Sequence, residues 1–367
     1  MRRAVAVLLV MSLAGCSVGD IRRTPPVPAS PAATPSTPSP AAPTKPRGAD
    51  EVRRTQFDLG ATFTPHTVEF ADQRTGYAMF IGCDQAHPQP AEGCPAALFG
   101  TGDGGRTWRE IRHPHRLAKN HQMYVGGGKL ILLAEPHGWW VSADRGRTFT
   151  DQPAEDATPS FYHEAFGRYQ ACCDADKTRK VVEFAAGKMR PVPTQPPIPS
   201  VDTVGSGRDL LYAAGLKDGR PYAAVSADRG RTWKPTALAA DADLEMLQIM
   251  VSYGGEHAWL VGNTSRFAFP RLWLYDGQGW RPSGTEGHPL EYLSAAPLDD
   301  GSVAFTGPAG AGVVIGGAYR ELDWPVGRGW VTVLSDGTVF SQVDRDTWLG
   351  VGTGTERRWI RIELSAR

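Results

Sequence analysis

The sequence is poor in features that define several common classes of protein. Its 39 basic side chains are matched by 39 acidic ones, for a formal net charge of zero. Neither sign is gathered into a stripe or block, which disfavours binding to nucleic acid or an anionic surface by charge. No apolar run reaches the roughly 20 residues that a membrane-spanning helix needs. Helix-like periodicity is nearly absent. The one tempting stretch, DADLEMLQIM, falls where a strand is due and is read as loop plus strand. Cysteine is scarce, at five in 367 residues.

What is present starts with MRRAVAVLLVMSLAGC. Arg2 and Arg3 precede a short apolar run, Ala4 to Leu13, the pattern of a secretory signal. Leu13-Ala14-Gly15-Cys16 resembles the bacterial lipobox. That resemblance implies cleavage before Cys16, lipidation of its thiol, and an extracytoplasmic protein of bacterial type held at the cell membrane only by its lipid. Thr24 to Pro46 follows, with nine prolines in 23 residues. Proline lacks an amide donor and fixes φ, so this run builds no core and reads as an extended stalk. The expected organisation is a signal peptide over residues 1–15, a lipidated cysteine and stalk over 16–50, and a folded domain over 51–367.

Within the folded region one phrase recurs. VSADRGRTF, Val141 to Phe149, returns as VSADRGRTW, Val225 to Trp233, and TGDGGRTW, Thr101 to Trp108, fits the same template. Weaker copies place further anchors at Met189, Trp280, Tyr319 and Trp359. The seven anchors are spaced 41, 40, 44, 47, 39 and 40 residues apart. A period near 40–45 with short strand-like runs between anchors is the signature of a propeller blade. HTVEF, GYAMFIG, ALFGTG and TWREI make one such unit. The sequence therefore predicts an all-β fold, a seven-bladed β-propeller of four-stranded antiparallel blades from about His66 to Leu364. TQFDL lies outside the count and is expected to close the ring on the last blade.

The three strong copies resemble the Asp-box, or BNR repeat, of sialidases, sortilin-type receptors and photosystem II assembly-factor-like propellers. The residues of the box are Asp103, Gly105 and Trp108; Asp144, Gly146 and Phe149; and Asp228, Gly230 and Trp233. Their chemistry suits a turn. The carboxylate accepts N–H bonds from the hairpin, the glycine can take positive φ, and the aromatic begins the outer strand and packs against the neighbouring strand. With one carboxylate and two cations, DRGRT makes a poor cation cage.

Loops carry function on a rigid scaffold. Turns joining a blade's first and second strands, and its third and fourth, are short here. The opposite set, joining second to third strands and blade to blade, holds CDQAHPQPAEGC, HPHRLAKNH, PVPTQPPIPS, GNTSRFAFPR and GPAGAG. That face is the expected binding face, with His87, His113, His115, His121, Phe267, Phe269 and Arg271 as its candidate residues. Cys83 and Cys94 bracket one of these loops and are expected to form a disulfide. Cys172 and Cys173 are adjacent, and in an oxidising compartment a vicinal disulfide is the preferred reading, against free thiols or a metal pair. The histidines offer an H-x-H pair, but Arg112, Arg116 and Lys119 oppose a cation, and no metal is expected. No cofactor motif is present.

Function is then read as that of a membrane-tethered, non-catalytic binding or assembly module acting as a monomer on a protein, peptide or glycan. The alternative is a sialidase-like exo-glycosidase. The family resemblance would ask for an arginine triad, a Tyr–Glu pair and an opening R-I-P-like motif. TPHTVEF stands in that place, and Tyr162, Glu164, Arg168 and Arg271 are isolated pieces.

Overall fold

Short apolar runs punctuated by Gly, Asp and Asn can satisfy their backbone only by pairing with neighbours. In the computed structural model they do so as seven small sheets. The residues described are 46–60, 62–83, 92–152, 167–173, 178–185, 188–239, 244–265, 267–343 and 345–367. No helix occurs among them, and so none that could cross a membrane.

The fold is the seven-bladed β-propeller that the period predicts. The first blade is built in chain order from Thr64–Phe70, Gly76–Ile81, Cys94–Thr101 and Arg109–Ile111. Inner strands of the later blades include Asn120–Gly126 in the second, Thr203–Ser206 in the fourth, Met246–Val251 in the fifth, Ser294–Pro297 in the sixth and Trp330–Val333 in the seventh. Three strands are described in the third blade, beginning at Tyr169–Cys173. The segment preceding them, residues 153–166, lies outside the described residues.

The ring is closed by Glu51–Phe57. This strand pairs in parallel with the last strand, Glu51 opposite Ile360 and Phe57 opposite Ala366, as a fifth strand of the seventh blade. Phe57 then packs between blades, its ring 4.9 Å from Phe80 and 4.1 Å from Phe99.

The core is a series of layers between adjacent blades. Trp108 packs into the layer between the seventh and first blades, and Phe149 into that between the first and second. Trp233, Trp280, Tyr319 and Trp359 do the same at the four successive junctions from third–fourth to sixth–seventh. These six anchors therefore seal their blades against the preceding blade, rather than only against the neighbouring strand. This is why an aromatic or large apolar side chain recurs once per blade. Where the layer is tightest the facing residue is glycine. A Cβ on Gly312 would lie 2.0 Å from the Tyr319 hydroxyl, and one on Gly350 would lie 2.9 Å from Trp359.

Two expectations about loops need correction. GPAGAG is a tight hairpin, with Gly307 paired to Gly310, because Gly310 takes φ 116° and turns the chain at once. The join of second to third strand is also tight in the fourth blade, where Asp218 and Gly219 both have positive φ. Long joins of this kind are therefore features of particular blades and not of the whole face.

Candidate functional site

The repeated turn has one hydrogen-bond pattern in all three copies. Asp103 Oδ1 accepts the N–H groups of Arg106 at 3.0 Å and Thr107 at 2.9 Å, and Oδ2 accepts the Thr107 hydroxyl at 2.6 Å. The Thr101 hydroxyl donates to Asp103 and accepts the N–H of Gly105 at 2.8 Å. Asp144 and Asp228 repeat the set with Ser142 and Ser226. The glycine at the third position takes φ of 87°, 77° and 79° in Gly105, Gly146 and Gly230. The residue before it is also left-handed, as Gly104, Arg145 and Arg229. Burial raises the Asp103 carboxyl, but the Thr107 and Thr101 hydroxyls and backbone N–H groups hold it down at about 2. Among the described residues, every hydrogen bond these carboxylates accept comes from their own turns.

A second recurring contact joins blades. Arg109 donates to the Arg145 carbonyl at 2.6 Å, and Lys234 to the Gln278 carbonyl at 2.9 Å. Arg53 donates to the Gly104 carbonyl in the same sense. A cation on the outer part of one blade thus fastens the third-to-fourth turn of the next.

The opposite strand ends, here called the loop end, carry the second-to-third joins and the blade-to-blade connectors. At the first blade this region is built around the disulfide Cys83–Cys94, with Cα atoms 5.5 Å apart. Cys94 and Pro95 pair with Ala118 and Leu117 of the next connector. His121 Nε2 donates to the Cys94 carbonyl at 3.0 Å, since a carbonyl can only accept. His113 Nδ1 accepts the N–H of His115 at 3.1 Å. Both rings are buried and lie 5.2 Å apart. Burial, and secondarily the neighbouring His121, pushes His113 down to about 3, and burial lowers His121 as well. With Nδ1 of His113 acting as an acceptor, its Nε2 keeps the proton in the neutral ring and is no metal ligand. His115 stacks on His137 at 3.6 Å. Among the described residues no three His, Cys, Asp or Glu side chains form a metal-binding group. His87 lies outside the described residues.

Cys172 is a free, half-buried cysteine on the regular strand Tyr169–Cys173. The expected pairing with Cys173 falls on a residue whose side chain lies outside those described. The strand pairs antiparallel with Arg179–Ala185, with Cys172 opposite Lys180. Of the pieces considered for a glycosidase, Arg168 pairs with Glu183 in the third blade and Arg271 begins a strand of the fifth. Tyr162 and Glu164 lie outside the described residues.

The loop end also holds an apolar groove of about 480 Å³, lined by Phe267, Glu291, Tyr292, Leu293, Gly307, Pro308 and Arg328. These come from the second-to-third joins of blades five and six and the connectors into blades six and seven. The segment at Phe267 is held by Tyr292 N–H donating to the Phe267 carbonyl at 2.9 Å and Phe269 N–H donating to Leu290 at 2.9 Å. Phe269 itself is structural, with its ring 4.7 Å from Phe305 and stacked on His288 at 4.5 Å. Phe267 is 46 % exposed and Leu290 88 %.

Exposed large apolar side chains gather at this end. Among the described residues, Leu117, Met246, Phe267, Leu290 and Trp330 sit in its loops or at the first residue of an inner strand, with Tyr253 at the opposite end and Val52 on the closing strand. Sequence reasoning found Phe267 but missed Leu290, Tyr292, Arg328 and Trp330. Leu290 carried a signal, as an isolated apolar residue in a Gly- and Pro-containing connector, whereas Tyr292 is buried in the core and Arg328 is an ordinary surface cation in the sequence.

No family profile matches the chain, and comparison with curated proteins finds no significant match. Among solved structures the chain is similar to YCF48 bound to a D1 peptide, at 14 % identity over 83 % of this chain and 94 % of that one, with a TM-score of 0.43. It is similar to YCF48 from Cyanidioschyzon merolae at 12 % identity over 78 % and 94 %, TM-score 0.42. A GH74 xyloglucanase from Xanthomonas campestris matches at 15 % identity over 78 % of this chain and 45 % of its own length, TM-score 0.28. Likeness at this level does not carry a function from those proteins to this chain.

Proposed function

We propose that this protein is a membrane-tethered, extracytoplasmic binding or assembly module, anchored through Cys16 and presenting the loop end of its propeller to a protein or peptide. One observation carries the reading: among the described residues, solvent-exposed large apolar side chains concentrate at the loop end, with Phe267 lining its groove and Leu290 next in the chain to the lining residue Glu291. Exposing such groups costs free energy, and a rimmed apolar patch on an otherwise polar surface marks an interaction site. The carboxylates of the repeated turns are spent on backbone and hydroxyl donors, so they act as staples of the scaffold.

The test is cross-linked capture from native cells by the full chain, beside Phe267→Ala and Leu290→Asp variants. Both side chains are exposed, so the fold should survive. A specific protein captured by the parent and lost from both variants is the expected result. Equal capture by all three would refute the reading. Fractionation of a Cys16→Ser variant checks the anchor, which predicts transfer from membrane to soluble fraction.

A further inference from the structure

The geometry points to a specific class of occupant for the groove: an extended peptide segment with a large apolar residue at its centre, a basic residue toward the fifth blade and an acidic residue toward the seventh. This inference rests on the binding-module reading and deepens it.

The lining decides against a hydroxyl-rich ligand. A polar ligand in a cleft needs unspent donors and acceptors, and the floor of this groove has committed backbone N–H donors and the Tyr292 hydroxyl. The N–H of Tyr292 donates to Phe267, that of Leu293 to Thr306 and that of Gly307 to Gly327. Pro308 has no N–H. The Tyr292 hydroxyl donates to Asn263 Oδ1 at 2.6 Å. With these donors spent, addition of a partner strand along the floor is disfavoured, and so is a glycan. What the floor offers is the apolar surface of Phe267, Tyr292, Leu293 and Pro308.

Charge supplies direction. Glu291 lies on the connector from the fifth to the sixth blade and Arg328 on that from the sixth to the seventh, and both line the groove. Both are exposed, and neither has an ion pair or side-chain hydrogen bond among the described residues. In ring order, Glu291 therefore stands toward the fifth blade and Arg328 toward the seventh. A segment that buries an apolar side chain between them is matched by a base at the first rim and an acid at the second. Rim charges of this kind select partners and orientation more than they add affinity.

The probes are acetylated, amidated peptides, identical except at two positions flanking a central Leu-Phe. One pair carries Lys and Glu in either order, covering both backbone directions, and the others carry Lys at both positions or Glu at both. Binding to the full chain is read by fluorescence anisotropy. One mixed-charge peptide is expected to bind about threefold tighter than either single-sign peptide, the scale of an exposed ion pair. Arg328→Glu should move the preference to the double-Lys peptide, and Glu291→Arg to the double-Glu peptide. Phe267→Ala should weaken all of them about tenfold, as loss of an aromatic anchor does. Thermal melts confirm that each variant folds. No saturable binding, or binding indifferent to these charges and to Phe267, overturns the inference. So does glycan-array binding that is lost in Phe267→Ala. If capture from cells still depends on Phe267 and Leu290 when the peptide selectivity fails, the module reading stands and the peptide class is wrong. If both fail, both are wrong.

Discussion

Arg53, on the strand that closes the ring, donates its guanidinium N–H to the carbonyl of Gly104, in the repeated turn of the first blade. One bond thus joins the seventh blade's added strand to the first blade, across the seam where a ring of blades must be sealed. The side chain is 7 % exposed and also pairs with Glu51 at 2.8 Å. Arg109 and Lys234 make the equivalent bond elsewhere in the ring, from exposed positions. Arg53→Ala should therefore destabilise the protein by about 2–3 kcal/mol, because a buried charged donor is lost and the Gly104 carbonyl loses its bond, while Glu51 keeps only the exposed Arg106 and Arg358. Arg109→Ala should cost about 1 kcal/mol or less. Urea midpoints of the two variants decide the order, and equal effects would show that the seam holds no special bond.

The disulfide Cys83–Cys94 closes a loop of sequence separation 11 at the loop end. Constraint of the unfolded chain by a loop this size is worth about 2–3 kcal/mol. Cys83→Ser with Cys94→Ser should lower stability by that amount. Hydrogen exchange should rise first at Leu117–Ala118, which pairs with Cys94 and Pro95. Unchanged stability with and without reductant would contradict this.

Gly312→Ala should cost about 2–3 kcal/mol, since its Cβ would fall 2.0 Å from the Tyr319 hydroxyl in the layer between the fifth and sixth blades. Gly312→Ala combined with Tyr319→Phe removes the atom nearest to that Cβ and should recover part of the loss. Differential scanning calorimetry of the two variants makes the comparison.

Much of this fold was legible because the propeller repeats one physical problem. Each blade needs an outer residue to seal against its predecessor and a tight turn before it, so Trp108, Phe149, Met189, Trp233, Trp280, Tyr319 and Trp359 appear at intervals of 39 to 47 residues. The closing strand was legible as TQFDL, the run left outside the blade count, but its start at Glu51 and its parallel pairing with Ile360–Ala366 leave no local signal in the sequence. Arg145 and Arg229 hid their left-handed backbone, since arginine gives no hint of positive φ where glycine at Gly104 does. The groove was least legible. Phe267, Leu293 and Arg328 lie far apart in the chain, and only the ring order of the loops brings them to one place.

Burial makes two parts of the ring sensitive to pH in opposite directions. Desolvation raises the Glu69 carboxyl, on the inner strand of the first blade, to about 7 from an ordinary 4.5. A raised acid favours the protonated folded state, so its stability is full below about pH 4.5 and is lost as pH rises through 7. Glu69→Gln should therefore stabilise the protein by about 2 kcal/mol at pH 8 and change little at pH 4. The buried His113 is depressed to about 3. The unfolded chain then takes up the proton first, near pH 6.5, and stability falls from there down to about pH 3. His113→Asn should flatten that acid limb without altering the alkaline one. Melting temperatures from pH 4 to pH 8 on the parent and both variants separate the two groups. Because the two slopes offset each other between about pH 4.5 and 6.5, the difference between each variant and the parent is the readout, and a parent curve unchanged in shape by either substitution would show that neither burial governs the stability of the ring.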